Sequence, residues 1–411
     1  MVSLSLPAPL AALWSFRPIF NILGYLLLLG TCLLITFSRS LGALPYTKAA
    51  WIYTPIAITA LYITWSDIFR FLHDDYVDFT DRSGPYASIP ANGRNDIEAY
   101  LQVSDWFDAA YAAVAEDPSR WWFSSQLLNT ASVIVALVWA EGAHHWAKSS
   151  VRKGGPAFFA GMASAMAYVL TGLLGAMSVA FALFLVQRRV AEKNLALRSY
   201  PRVTITIFIL LAVFVAGVTY TPYALTSNYT IFSWTLIIIH GALLLPILGG
   251  AGPGLIYHPR APRAKKTGIT TSSTSPKAMS ALYLFLAISN LASHAVASRN
   301  LDWHRAIGID LADAIASHPC QKSITADLVF CTLTASFFIV AELVTAVRRG
   351  VVRAWVAVIV GTVVLAVTVF PLGVSVTLPA FLAWRETKLR QGLLEPSVVV
   401  VEEASRVKKR A

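Results

Sequence analysis

The chain has 411 residues, of which 56% are hydrophobic and only 13% are charged. Soluble domains carry about 25% charged residues, so the apolar surface of this chain excludes a water-soluble fold. The net charge of +11 does not indicate a nucleic-acid-binding protein, because no basic stripe with interleaved aromatics and no DNA- or RNA-binding motif occurs. Positive charge is instead typical of cytoplasmic loops that face anionic lipid headgroups.

Long apolar runs dominate the sequence, and a membrane-spanning helix needs about 20 such residues. The runs predict an all-α polytopic bundle of about eight or nine spans, in a single transmembrane domain over 1–411 without an internal repeat. The last run contains Pro371 and Pro379, so it forms either one kinked helix or a helix followed by a re-entrant piece. Runs of sufficient length lie at 18–37, 47–66, 126–146, 157–186, 203–222, 230–250, 278–298, 325–347 and 353–384.

Loop charge predicts the orientation of the C-terminal half. The connections after the fourth, sixth and eighth runs are rich in Arg and Lys, so we expect them to be cytoplasmic. The connection after the fifth run has neither and holds the sequon Asn228-Tyr229-Thr230, which predicts glycosylation of Asn228 in a lumen. We expect 251–277 to be a disordered basic loop, 385–411 a polar tail, and the endoplasmic reticulum to be the membrane.

The longest connection, 67–125, holds 11 of the 22 acidic residues. A helical pattern from Asp96 to Val114 predicts an interfacial helix within it, and Trp121 and Trp122 fit an aromatic belt at the membrane surface. Two interpretations stay open. The connection is a solvated acidic loop, or it is a lid that brings carboxylates and aromatic faces over a cavity between helices.

A metal-binding pattern lies inside this connection, at DDYVD (74–78). It matches the Asp-Asp-x-x-Asp pattern that binds magnesium and diphosphate in prenyl enzymes that ionise their substrate. Oxygen ligands three to four residues apart share one helix face and can hold a hard cation. Asp74, Asp75 and Asp78 are therefore alternative Mg²⁺ ligands, although no second Asp-rich motif accompanies them.

Charges at membrane depth are costly, so ionisable residues inside the runs are functional candidates. Asp327 lies one turn into the eighth run, Glu141 near the end of the third, and Asp67 at the end of the second. These three carboxyl groups are the ones that the sequence places closest to an apolar interior.

Other polar residues in the runs have plainer interpretations. Glu342 is expected to be a helix-end residue near Arg348 and Arg349. His240 and His294 interrupt the sixth and seventh runs, and such residues are more often packed in the core than catalytic.

Four stretches carry a family resemblance: WSDxFRFxHDDYxDF near 65–79, DWFxxAYxxVxxxPxRWWxSxQL at 105–127, WxEG at 139–142 and HPxQxSIxxD at 318–327. They resemble fungal integral-membrane terpene cyclases of the ascochlorin and ascofuranone type. The resemblance implies about eight spans and the cyclisation of a polyprenyl, often epoxidised, side chain on an aromatic or indole head. It assigns no catalytic residues.

Such a cyclisation needs a protonated carboxylic acid to open an epoxide or protonate an alkene, and burial raises a carboxyl pKa enough to keep that proton available. Aromatic faces would stabilise the carbocation, an apolar cavity would exclude water, and no cofactor is required. On this hypothesis Asp327 and Glu141 are the leading acids. The further catalytic candidates are Asp67 and the lid residues Asp105 and Asp108, and the substrate-binding candidates are Trp106, Trp121, Trp122, Gln126 and His294.

Two other functions stay open. A Mg²⁺-dependent enzyme that ionises a prenyl diphosphate would use the aspartates of DDYVD. A non-enzymatic transporter or receptor is the second alternative, and neither an inverted repeat nor paired broken helices are evident to support a carrier. On the leading hypothesis the partners are a hydrophobic prenylated small molecule and membrane lipid, with no nucleic acid and no protein partner predicted.

Overall fold

The structure, a computed structural model, is all-helical over the residues it describes, with fourteen α-helices and no β-strand among them. Those residues are 17–83, 86–88, 96–142, 157–192, 203–249, 276–299, 301, 311–348, 350, 352–369 and 372–390. The first seven helices are α1 Arg17–Gly42, α2 Lys48–Thr80, α3 Asp96–Val103, α4 Trp106–Ala115, α5 Pro118–Leu137, α6 Ala157–Leu170 and α7 Met177–Glu192. The others are α8 Ile205–Ser227, α9 Tyr229–Gly249, α10 Pro276–Arg299, α11 Leu311–Ser317, α12 Pro319–Arg348, α13 Ala354–Val369 and α14 Val374–Arg390.

Six helices are long and apolar enough to cross a membrane, by their length and composition. Two shorter apolar helices lie at Ala163–Gly175 and Ala354–Thr368. The all-helical fold and the membrane-embedded character that the sequence predicts are therefore confirmed at this level. The six candidate spans are Gly24–Gly42, Pro118–Glu141, Ile205–Ser227, Tyr229–Ile247, Lys277–Arg299 and Pro319–Arg348.

The acidic connection predicted over 67–125 is mostly helical. The helix formed by the second apolar run does not end at Asp67, because α2 continues to Thr80. Its 33 residues span about 50 Å. The single interfacial helix predicted further on is divided into α3 and α4. Asp117 then begins α5, since its side chain accepts the backbone N–H groups of Ser119 and Arg120 at 2.9 Å.

The apolar run at 157–186 forms a helical hairpin and not one long span. A π-helical turn, Thr171–Gly175, ends α6, and Ala176 is extended with φ −161° and ψ 136° before α7 begins. The rings of Tyr168 and Phe184 lie 5.8 Å apart on either side of this point, so the chain reverses there. We call 157–192 the first hairpin.

The run at 353–384 forms a second hairpin, α13 and α14, covering 354–390. The chain turns at Gly373, whose φ of +74° is strained for any residue with a side chain. Thr368 and Thr377 join the two arms by a hydrogen bond of 2.7 Å between their hydroxyls. The polar tail expected from 385 begins later, because α14 runs to Arg390.

Helix ends meet in two groups on opposite sides of the bundle. At what we call the lid end, Trp122 Nε1 near the start of α5 donates to Ser298 Oγ near the end of α10 at 3.1 Å. At the arginine end, the last turns of α5, α7 and α12 meet around Arg188. The first residues of α7 and α14 are buried, so both hairpins reverse inside the bundle.

Candidate functional site

Asp327 caps a helix inside the bundle. It is buried on α12, and its two carboxylate oxygens accept the backbone N–H groups of Met177 at 2.9 Å and Ser178 at 2.8 Å. These are the first amides of α7, which have no partner within their own helix. A carboxylate at a helix start is also favoured by the helix dipole. The geometry therefore favours a structural role for Asp327 over that of a proton donor.

The other backbone groups freed by the first hairpin are also bound. Tyr25 Oη donates to the carbonyl of Leu174, and Trp65 Nε1 donates to the carbonyl of Gly175 at 3.1 Å. Irregular backbone at membrane depth needs such partners, because no water reaches it from the lipid. Sequence reasoning could not find them, since the partners lie more than 100 residues away.

Glu141 lies on the π-helical turn Val138–Gly142, which follows α5, and forms ion pairs with Arg188 and Arg385. It belongs to a cluster of three acidic and three basic side chains that joins α5, α7, α12 and α14. A carboxylate that accepts from two guanidinium groups is an ion-pair partner and not a free acid. We call these six residues the arginine cluster: Glu141, Arg188, Arg189, Glu342, Arg385 and Glu386.

Glu342 lies in the last two turns of α12, as predicted, whereas Arg349 lies outside the described residues and the ion-pair partners of Glu342 come from other helices. Glu342 accepts from Arg188 Nη1 at 2.9 Å and lies 3.0 Å from Arg189 Nη2. Both arginines come from α7, which the sequence gives no reason to place beside the last turns of α12. The position of Glu342 is therefore set by tertiary packing.

Asp67 is half-buried along α2, one turn before Phe71. Phe71 packs in a small apolar cluster with Val114 of α4 and Cys320 of α12. We call 86–88, α3 and α4 the lid, and Asp67 therefore lies beside the region where the lid meets the bundle, away from the arginine cluster.

Asp105 and Asp108 form a carboxyl pair at the start of α4. Three residues apart, they lie on one side of the helix. Asp108 accepts a hydrogen bond from Ser233 Oγ of α9. Loss of water around Asp105 raises the pKa of its carboxyl group, and repulsion from Asp108 raises that pKa further. Asp105 therefore retains a proton to higher pH than an ordinary aspartate.

Aromatic side chains of α4 lie beside this pair, and the Asp105 side chain itself is exposed. The Trp106 ring meets Tyr25 edge-on at 5.4 Å, and the Phe107 ring lies 5.1 Å from Tyr111 and 5.4 Å from His240. Trp106 was expected from the sequence to bind substrate, and the structure places it next to the carboxyl pair. We call this group, with Asp105, Asp108 and Ser233, the α4 cluster.

His240 has a defined hydrogen-bonding pattern in the α4 cluster. Its Nδ1 lies 2.7 Å from the carbonyl of Leu236, which can only accept, so Nδ1 carries the proton. Nε2 then accepts from the Tyr111 hydroxyl at 3.1 Å. Burial raises the pKa of Tyr111, so its hydroxyl stays protonated. Sequence reasoning took His240 as a packing residue and did not single out Tyr111.

Three predicted substrate-binding residues come together at the lid end. The rings of Trp122 and His294 lie 5.6 Å apart, and Gln126 Nε2 contacts His294 Nδ1. Gln126 Oε1 accepts from Ser375 Oγ at 2.5 Å. A side chain at Gly373 would collide with Gln126, so glycine is needed there for space as well as for its positive φ.

Two buried asparagines extend this polar group, and nothing in the sequence marked them out except their apolar surroundings. Asn129 Nδ2 donates to Ser293 Oγ at 3.0 Å, and Asn290 Nδ2 donates to the Ser375 carbonyl at 2.9 Å. The side-chain oxygens of both have no hydrogen-bond partner within the described part of the chain. We call Trp122, Gln126, Asn129, Asn290, Ser293, His294 and Ser375 the amide cluster.

Trp121 and Trp122 do not form an aromatic belt at the lipid surface. Both side chains are buried, Trp121 in the main core and Trp122 against Phe123 and His294. They lie on α5, the most completely enclosed of the six candidate spans. The expectation of an interfacial belt is therefore wrong for this pair.

The DDYVD aspartates lie on the last two turns of α2, where each has protein partners. Asp75 accepts from Tyr100 Oη at 2.7 Å and Tyr86 Oη at 3.2 Å. Burial, with the nearby Asp75 carboxylate adding to it, raises the pKa of both tyrosines. Asp74 lies 3.8 Å from Arg70, and Asp78 accepts from Ser83.

No group of three or more His, Cys, Asp or Glu side chains in the described residues is arranged to hold a metal ion. The geometry gives the Mg²⁺ alternative no support, and it stays a prediction. Asn228 is exposed between α8 and α9, and its side chain accepts the N–H of Thr230 at 2.8 Å. Its glycosylation likewise stays a prediction.

Comparison with known proteins gives one match. A family model described as "Protein of unknown function DUF2834" matches residues 282–387, about a quarter of the chain, from α10 to α14. No curated protein and no solved structure matches the chain. The comparisons supply no activity, so the function has to be argued from the geometry.

Proposed function

We propose that the protein is a membrane-bound terpene cyclase that closes rings in a prenyl side chain by acid-initiated carbocation chemistry. The observation that carries the proposal is the carboxyl pair of exposed Asp105 and half-buried Asp108, on the same helix as Trp106, Phe107 and Tyr111. The substrate is a hydrophobic prenylated small molecule that enters from the lipid. No cofactor is required, and the endoplasmic reticulum is the proposed location.

The two carboxyl groups have different tasks in this mechanism. Asp105 holds the proton and gives it to an epoxide oxygen or an alkene carbon, so that a C–O or π bond breaks as the first ring bond forms. Asp108, which accepts from Ser233, lies beside it. The final cation loses a proton, and its return to the pair restores the starting state. The rings of Trp106, Phe107 and Tyr111 stabilise the passing cation.

Asp327 and Glu141, the leading acids in the sequence analysis, are not the proton donor in this proposal. Asp327 is occupied by two backbone amides, and Glu141 by two arginines. Neither carboxyl group is positioned to give a proton without first breaking these contacts.

The proposal predicts that Asp105→Asn lowers cyclisation by about 100-fold or more, the contribution typical of a general acid. Microsomes that carry each variant would receive an epoxyprenyl phenol, and the cyclised product would be quantified by mass spectrometry. Glu116→Gln is the matched control, because Glu116 is an exposed acid just beyond α4. Wild-type cyclisation by Asp105→Asn would overturn the assignment.

A carrier is the second candidate, and one observation favours it. Both hairpins reverse inside the bundle, and broken helices of this kind form binding sites in many carriers. The sequence had shown no such helices. Metabolite profiling of cells that express the protein separates the two functions, since a new cyclised product supports the enzyme and movement of an unchanged metabolite supports the carrier.

A further inference from the structure

The long helices α5 and α12 carry matching residues at matching spacing. Each begins with proline, has a polar residue eight positions later, and has glutamate fifteen positions after that. The polar residue is followed by leucine and the glutamate is preceded by alanine in both helices. The corresponding pairs are Pro118 and Pro319, Gln126 and Asp327, and Glu141 and Glu342.

The second arms of the two hairpins, α7 and α14, also correspond. Both begin inside the bundle, and both end at the arginine cluster. Five residues are identical at equal spacing, which places the two reversals in the same register. The identical pairs are Ser178 and Ser375, Val179 and Val376, Phe184 and Phe381, Leu185 and Leu382, and Arg188 and Arg385.

The contacts between these elements are reciprocal. Asp327 of α12 binds the start of α7, and Gln126 of α5 binds Ser375 at the start of α14. Helix α2 packs on α7 and α12, as α10 packs on α14 and α5. In the arginine cluster, Arg188 and Arg385 each contact both glutamates, Glu141 and Glu342. Contacts that repeat with the partners exchanged are the mark of two-fold symmetry.

We infer that the chain joins two copies of one helical unit, 48–192 and 276–390. The copies differ at the start of α14, and this position is a binding subsite for a hydroxyl group of the ligand. The family match at 282–387 covers nearly all of the second copy. Binding sites of duplicated membrane proteins lie where the copies meet. The inference replaces the expectation of a chain without an internal repeat, and its choice of ligand rests on the proposed function.

The two copies differ in how they cap the buried helix start. The Asp327 carboxylate accepts hydrogen bonds from the first two backbone amides of α7. Its counterpart Gln126 is uncharged and accepts the Ser375 hydroxyl instead. Within the described residues, no side chain accepts from the amides of Val374 or Ser375. The start of α14 thus offers hydrogen-bond donors where the first copy is filled by its own carboxylate.

Unpartnered acceptors lie beside these donors. Asn290 is fully buried, and because its amide nitrogen donates to the Ser375 carbonyl, its side chain stands at the first turn of α14. Its oxygen and that of fully buried Asn129 have no hydrogen-bond partner among the residues that the structure describes. Buried polar atoms are rarely left unpaired, since this is costly. A ligand hydroxyl both accepts and donates, so it satisfies the amides of α14 and one of these oxygens together.

The test compares binding of a tritiated farnesylated phenol and its methyl ether to the purified full chain, with binding to empty micelles subtracted. We expect the wild type to bind the phenol about tenfold more tightly, because the ether cannot donate. Gln126→Asp places in the second copy the carboxylate that the first copy has. It should keep its thermal stability, fill the subsite and bind both probes equally.

Asn290→Leu removes the side-chain oxygen that would accept from the ligand hydroxyl, so it should also abolish the preference for the phenol over the ether. Asp327→Gln is the matched control, since it alters the equivalent position in the other copy and should lower the melting temperature while leaving the preference intact. A wild type without preference, which would mean water alone fills the subsite, overturns the inference. Retained preference in both Gln126→Asp and Asn290→Leu also overturns it.

The outcome is independent of catalysis. Asp105→Asn should lose turnover and keep its preference for the phenol. If that variant turns over normally while Gln126→Asp loses the preference, the proposed acid fails and the subsite stands.

Discussion

Individual carboxyl groups in this protein are distinguished by the donors that surround them. Asp327 accepts from backbone amides, Glu141 from arginines and Asp75 from tyrosines, whereas Asp105 has a neighbouring carboxylate. The first three arrangements stabilise the fold. The fourth raises the pKa of one carboxyl group and so keeps a proton available for chemistry.

The raised pKa of Asp105 gives a prediction about pH. The protonated, active form of Asp105 is present below this pKa and is lost as pH rises through it. The alkaline limb of the pH–rate profile, where the cyclisation rate declines, should therefore lie at a higher pH than an ordinary aspartate would give. Asp108→Asn removes the repulsion and should move this limb to lower pH. Ser233→Ala keeps the charge of Asp108 and should leave the limb in place. A limb that does not move in Asp108→Asn would contradict the coupling, and a pH–rate profile of each variant measures it.

The residues named from sequence were found with uneven success. Trp122, Gln126 and His294 do come together, because all three are polar or amphipathic side chains near the lid ends of adjacent helices. Asp327 and Glu141, singled out from the sequence, both make tertiary contacts within the bundle. Their partners could not be predicted, since Asp327 and Met177 are 150 residues apart in the chain.

At the scale of elements, the lid is tied to the bundle through Asp75. Tyr86 and Tyr100 lie beyond the end of α2, and their hydroxyls hold 86–88 and α3 against that helix. Their rings pack with Phe79 in a small apolar cluster. The tie therefore combines hydrogen bonds to a charged group with apolar contact.

Removal of this tie should loosen the lid. Asp75→Ala leaves both tyrosine hydroxyls without their acceptor, so we expect tryptic cleavage after Arg82 to quicken by about tenfold. Asp74→Ala is the control, because Asp74 is exposed and pairs with Arg70 and His73 and not with either tyrosine in the described part of the chain. Equal cleavage rates in the two variants would show that Asp75 does not hold the lid.

The positions at which the two hairpins reverse were not predicted from the sequence. Apolarity predicted helix over 157–186 correctly, but it could not show the reversal at Ala176, because both arms are apolar and buried. In the second hairpin, Pro371 marked a break without fixing its geometry. The reversal at Gly373 depends on contact with Gln126 from a distant helix.

At the scale of the whole molecule, the arginine cluster joins the two copies. Arg188 and Arg385 are almost fully buried and share Glu141 and Glu342. Their guanidinium groups also lie over the ring of Phe338, at 5.0 and 5.9 Å. Buried charges of both signs in equal number are tolerated only when they pair this closely.

Arg188→Met should destabilise the protein by about 3–5 kcal/mol, because it leaves two carboxylates, whose side chains are only 13% and 12% exposed, short of a partner. Arg189→Met should cost far less, since the Arg189 side chain is 21% exposed and contacts one carboxylate of the cluster. Thermal unfolding in detergent measures both. Similar losses from the two substitutions would show that the cluster does not hold the copies together.

The membrane environment and the all-helical class could be predicted from the sequence. An apolar chain with few charges must form its backbone hydrogen bonds within helices when lipid surrounds it. The sequence also placed acidic and aromatic residues in one connection. The fold was needed to show which carboxylates cap a helix, pair or stay available, where the hairpins reverse, and that the matching residues of the two copies make reciprocal contacts. Apolar positions are interchangeable in sequence, whereas hydrogen bonds and ion pairs between helices depend on which side chains meet in space.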